Sequence, residues 1–154
     1  MDNSFDLKRI QEKAINLFNS GFNCSQSVFS ACSDYLNLDN KIALSVACGF
    51  GAGMGRLQGT CGAVTGAYMV LGVYCSNKFM DNRERKEKSY LMIQDFNRRF
   101  IEKHNTTECK TLINCNLRTE EGQKKFHLDN LSETVCEICI KDSIQFLQVS
   151  AQAS

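Results

Sequence analysis

Gly59-Thr-Cys-Gly-Ala-Val-Thr-Gly66, continued by the uncharged run Ala67-Tyr-Met-Val-Leu-Gly-Val-Tyr-Cys75, is the stretch from which the fold is read. Thr60 suits an N-cap, and nothing from Cys61 through Ala67, Met69, Leu71 and Val73 to about Phe79 interrupts a helix apolar enough to be buried. Immediately before it stand Gly49, Gly51, Gly53, Gly55 and Gly59. Each glycine in a helix interior costs about 1 kcal/mol relative to alanine, so residues 49–59 read as a loop or a tight helix-to-helix crossing.

Outward from this centre the helical period continues. Leu7, Ile10, Ala14, Leu17 and Phe18 predict a first amphipathic helix within Phe5 to Phe22, stopped at Gly21. Asn23 caps a second, with Cys24, Val28, Cys32 and Tyr35 on one stripe. Asp39 caps a third, from about Lys41 to Cys48, whose composition predicts burial on most sides. Beyond the central helix a fifth spans about Arg83 to His104, with Tyr90, Ile93, Phe96 and Phe100 inward and Glu84–Lys88 and Asp95–Arg99 as pairs at four-residue spacing. Residues 105–129 are less regular, and a last helix runs from about Leu131 to Gln148. With no strand pattern and no internal repeat, the expected fold is all-α, a compact single-domain bundle of about five to six helices over residues 1–154.

Composition narrows the function. The chain has 154 residues, 43% hydrophobic and 23% charged, which fits one globular domain. A net charge of +1 gives no electrostatic case for nucleic acid. Average usage would supply about eight prolines, and the chain has none, which favours unbroken helices. The N-terminus lacks the basic start and apolar run of a signal peptide, and glycines and Arg56 interrupt the low-charge region 42–74, so neither secretion nor a membrane span is expected. Nine cysteines, odd in number and unevenly spaced, argue against a disulfide framework and for free thiols in a reducing, cytoplasmic compartment.

Helical rise limits which thiols can act together. At about 1.5 Å per residue, Cys24 and Cys32 lie about 12 Å apart on one helix and Cys61 and Cys75 about 21 Å apart on another, so Cys24 and Cys61 share a site only if Cys32 and Cys75 lie outside it. Cys61, in the first helical turn, meets unpaired N–H groups and the positive end of the dipole, which favour a thiolate. Gly62 and Gly66 on the same face admit either a bound cofactor atom or a closely packed helix. The glycine loop lacks the strand before it and the Gly-Lys-Ser/Thr after it that phosphate binding requires. Cys136-x-x-Cys139 has no second such pair, and His104 and His127, in polar surroundings, read as exposed or structural.

Gly21-Phe-Asn-Cys24-Ser-Gln26, Gly49-Phe-Gly-Ala-Gly53-Met-Gly55, Cys61-Gly-Ala-Val-Thr-Gly66 and two later cysteines together resemble the C-GCAxxG-C-C family, described as redox-active, over about Ala14 to Leu147. The resemblance implies four key cysteines in a helical domain, matching Cys24, Cys61, Cys109 and Cys136, with Cys115 and Cys139 as alternatives for the last two. It also implies, through relatives linked to haem proteins, an iron-sulfur centre; no CxxCH motif is present for covalent c-type haem.

Two functions are carried forward. One is a redox protein, a thiol-disulfide or electron-transfer oxidoreductase, in which Cys61 is the nucleophile and Cys24 its resolving partner, or in which the four cysteines bind an iron-sulfur cluster or zinc. Its partner is then a redox protein or a small thiol. The other is a non-catalytic binding or assembly protein with structural zinc or core thiols. A glycine-rich crossing also admits a homodimer.

Overall fold

A computed structural model describes residues 4–152, and these form eight α-helices joined by short turns. Helix α1 is Leu7–Asn19, capped by Asp6, whose carboxylate accepts from the Arg9 N–H. Helix α2, Cys24–Ala31, begins with a reciprocal capping box: Asn23 Oδ1 accepts from the Gln26 N–H while Gln26 Oε1 accepts from the Asn23 N–H. Helix α3, Asn40–Ala47, is capped by Asp39. After a 3₁₀ turn, Cys48–Phe50, and a kinked turn, Gly51–Met54, come α4, Gly62–Lys78, and α5, Asn82–His104.

The count exceeds the expected five to six because residues 105–129 hold two short helices, α6 (Cys109–Ile113) and α7 (Glu120–Leu128). A single π turn, Ser132–Cys136, leads into α8, Glu137–Gln152. Three further expectations are corrected. Helix α3 buries Ala43 and Ala47 but leaves Ile42 and Val46 about half exposed, since only one side meets the bundle. Tyr90 is exposed rather than inward. Asp95 pairs with Arg99 at 2.8 Å as its spacing suggests, but the neighbouring ion pairs run from Arg98 to Asp95 and Glu102, and Glu84–Lys88 is not among the ion pairs formed.

Helix α4 is the centre. It packs against α2, α5 and α8, and buries Val64, Ala67, Val70 and Leu71 among Val28, Phe96, Phe100, Ile140, Ile144 and Leu147. Phe96 meets Tyr68 and Phe146 edge-on with ring centroids 5.9 and 6.0 Å apart, tying α4, α5 and α8 together. Among the described residues no helix is long and apolar enough to cross a membrane.

The α2–α4 crossing depends on two missing side chains. A Cβ on Gly66 would stand 2.9 Å from the Ser25 carbonyl oxygen and 3.0 Å from Val28 Cβ, and one on Gly62 would stand on the Cys24 sulfur. Gly72, two turns further along, faces open space. The same substitution should therefore have opposite signs within one helix. In urea melts, Gly66→Ala is expected to lose about 1–3 kcal/mol as the helices are pushed apart, whereas Gly72→Ala gains up to about 1 kcal/mol from propensity alone.

Candidate redox site

Cys61 stands at the N-cap of α4, one position earlier than the sequence suggested, because Thr60 is occupied elsewhere. Thr60 and Glu108 form an isolated antiparallel bridge, in which the Cys61 N–H donates to the Thr107 carbonyl and the Cys109 N–H to the Gly59 carbonyl, both at 2.7 Å. This pair of bonds joins two helix starts, so that Cys61 and Cys109 open α4 and α6 side by side.

The bridge is continued by Gln58, buried to 4% exposure inside the glycine-rich loop. Its Nε2 donates to the Cys115 carbonyl at 2.8 Å, and its Oε1 accepts from the Leu117 N–H at 2.9 Å. The preceding backbone is left-handed: Ala52, Gly53, Met54, Gly55 and Arg56 all have φ between 54° and 68°. Left-handed turns cost non-glycine residues roughly 1–2 kcal/mol each, and Ala52, Met54 and Arg56 are not glycine. The turn is held by Gln58 N–H to the Ala52 carbonyl and Gly59 N–H to the Gly53 carbonyl, at 3.2 and 3.0 Å.

These elements enclose a cavity of about 280 Å³ lined by Cys24, Cys61, Cys109, Cys136 and Cys139. Cys24 lies at the start of α2, held against Gly62; Cys136 ends the π turn; Cys139 sits in the first turn of α8. Cys32 and Cys75 lie outside the cavity, Cys75 against Met92 with sulfurs 3.5 Å apart. Cys48 is exposed. Cys115, the proposed alternative to Cys109, is buried in a small cluster behind the wall with Ile113, Leu117 and Phe126. Of the two glycines read as cofactor contacts, Gly62 lines the cavity, but the space beside Gly66 is filled by α2.

Cys61 differs electrostatically from its companions. The neighbouring Cys139 side chain, with the N–H groups of Ala63 and Val64 at the helix start, outweighs burial and lowers its pKa. The other cavity thiols are held neutral. Cys139 is pushed far up, first by its bond to Cys61 and then by burial. Burial and the Cys61 charge raise Cys24 to about 11, against the pull of N–H groups from Ala52 and Ser25. Burial raises Cys109 to about 12 and Cys136 further, with Cys61 and Cys24 adding to both. Cys61 is thus the thiol of the cavity whose ionisation is favoured over that of its neighbours.

The thiols ring the cavity without converging: among the described residues no three His, Cys, Asp or Glu side chains are grouped so as to hold a metal ion. The chemistry considered below runs through the thiols. Two residues at the site carry no sequence signal or read otherwise: Gln58 reads only as part of a loop, and Cys139 as an alternate ligand. His127 is exposed, in line with its polar surroundings, and stands at the cavity rim with Arg56.

The sequence profile described as "Putative redox-active protein (C_GCAxxG_C_C)" matches residues 22–149. An uncharacterized protein of Archaeoglobus fulgidus is 27% identical over 128 residues, covering 78% of this chain and 85% of its own. No solved structure matches.

Two outcomes are expected from substitution. Alkylation of Cys61 by iodoacetamide should persist to lower pH than for an ordinary thiol, and Cys139→Ala, which removes the largest lowering influence, should move its midpoint to higher pH. Gln58→Leu leaves the Cys115 carbonyl and the Leu117 N–H unpaired; it should cost about 2–6 kcal/mol in a denaturant melt and speed amide exchange across residues 52–61.

Proposed function

Since the chain belongs to the C_GCAxxG_C_C family of redox-active proteins, we propose that it carries out reversible thiol–disulfide exchange at the cavity, with Cys61 as the attacking thiolate and Cys24 as its resolving partner. The observation that carries this reading is geometric: Cys24 and Cys61 line one cavity, with Cys61 at the start of a buried helix, where its pKa is lowered while that of Cys24 is raised.

The Cys61 thiolate attacks one sulfur of an external disulfide, forming a mixed disulfide and releasing one thiolate. Cys61 then carries no charge. The electrostatic cost of ionising Cys24 falls at that moment, and the N–H groups of Ala52 and Ser25 are in place to stabilise its thiolate. Cys24 gives up its proton and attacks the Cys61 sulfur; a Cys24–Cys61 disulfide forms and the second thiolate leaves. Two electrons have passed from the protein to the external disulfide, and the Cys24 proton ends on one of the two released thiols. The strained turn at 52–56 supplies one of the N–H groups, which gives its conformation a chemical use.

In this mechanism Cys61→Ser abolishes exchange, and Cys24→Ser stops it at the mixed disulfide, which intact-mass spectrometry would find as a stable adduct on Cys61. Stoichiometric iron or zinc in anaerobically purified protein, lost together with activity on chelation, would overturn the reading.

A further inference from the structure

The attacking sulfur belongs to a buried residue: Cys61 is 8% exposed, while its resolving partner Cys24 is half-buried. A disulfide in a folded protein arrives with two backbones whose alpha carbons stay about 4.4–6.8 Å apart, and both would have to enter with it. A space of about 280 Å³ closed by Phe18, Leu112, Ile113 and Phe126 admits a small molecule instead. Those walls favour an apolar body.

Charge orients the ligand. No carboxylate lines the cavity. Arg56, exposed at its rim, makes no hydrogen bond or ion pair among the described residues, and its backbone is fixed by the left-handed turn. His127 stands at the same rim. Among the described residues, Arg56 at the mouth is the one Lys or Arg side chain lining the cavity and the walls beside Cys61 are apolar, so a bound anionic group lies at the far end of the ligand from its reactive sulfur.

Resting on the thiol-exchange reading for its chemistry, we propose that the ligand is a small organic disulfide with a short apolar body and an anionic group remote from the sulfurs, bound with its sulfurs at Cys61 and its charge at Arg56. With a cyclic disulfide of this class, attack by Cys61 opens the ring, the S–S bond breaks, and the freed sulfur stays tethered as a thiolate. Cys24 then passes its proton to that thiolate and attacks the Cys61 sulfur; the bond between Cys61 and the ligand breaks, the Cys24–Cys61 disulfide forms, and the ligand leaves with two electrons from the pair, becoming the dithiol when its second sulfur takes a proton from solvent.

Lipoate and lipoamide share body and disulfide and differ in the charge of the remote end, which makes them suitable probes. With reduced full-length protein, oxidation of Cys61 followed by mass spectrometry should be about two- to five-fold faster with lipoate, the range of a partly exposed ion pair, and Arg56→Gln should bring the two rates together. Reduced insulin chains should not accumulate. A faster reaction with lipoamide, an unchanged ratio in Arg56→Gln, or reduction of insulin at a comparable rate would overturn the proposal. Binding is read separately by protection of Cys61 from iodoacetamide, where hexanoate should protect and hexylamine should not. If no disulfide reacts yet hexanoate still protects in an Arg56-dependent way, the site's binding of an apolar body with an anionic end stands, and the exchange reading fails and the disulfide with it. Exchange without such protection leaves the exchange reading and removes the ligand class.

Discussion

The crossing of α2 and α4 at Gly62 and Gly66 is the contact on which the site depends. Both positions must lack a Cβ, because the Ser25 backbone and the Cys24 sulfur occupy the space it would take. That closeness places the start of α2 against the start of α4 and so brings Cys24 and Cys61 to one wall of one cavity. The remaining elements complete the enclosure around this fixed point. The Thr60–Glu108 bridge aligns the start of α6 with that of α4, and the π turn before α8 sets the register in which Cys136 and Cys139 both face inward.

Clustering five thiols creates an electrostatic constraint of its own. Buried sulfurs resist ionisation, and each charge formed makes the next harder to form. The structure resolves this competition in favour of Cys61, where the neighbouring Cys139 and a helix start act together to lower its pKa, and at the expense of Cys139, whose pKa is raised. The strained turn at 52–56 belongs to the same design: it is costly as backbone, is locked by Gln58, and presents the Ala52 N–H to Cys24 and Arg56 to the cavity rim.

Much of the local structure was legible in the sequence because its causes are local. Asn23, Asp39, and the three-and-four spacing of Leu7, Ile10 and Ala14 act within one or two helical turns, and each marks a helix found in the structure. The helices at 109–113 and 120–128 were not legible: they span five and nine residues, too few for a periodic pattern to emerge. Helical rise alone separated Cys32 and Cys75 from Cys24 and Cys61, and the cavity lining follows that division.

What the sequence determined by itself was therefore the helical class, the caps at Asn23 and Asp39 and the cysteines that cannot lie together, since these follow from backbone capping and from fixed rise along one chain segment. Which cysteines do meet was decided by tertiary structure. Cys61 and Cys139, on one cavity, are 78 positions apart, and Gln58 and Leu117, joined by a hydrogen bond, are 59 apart; these meetings depend on the glycine crossing, the bridge at Thr60 and the π-turn register, each of which relates segments that share no local pattern.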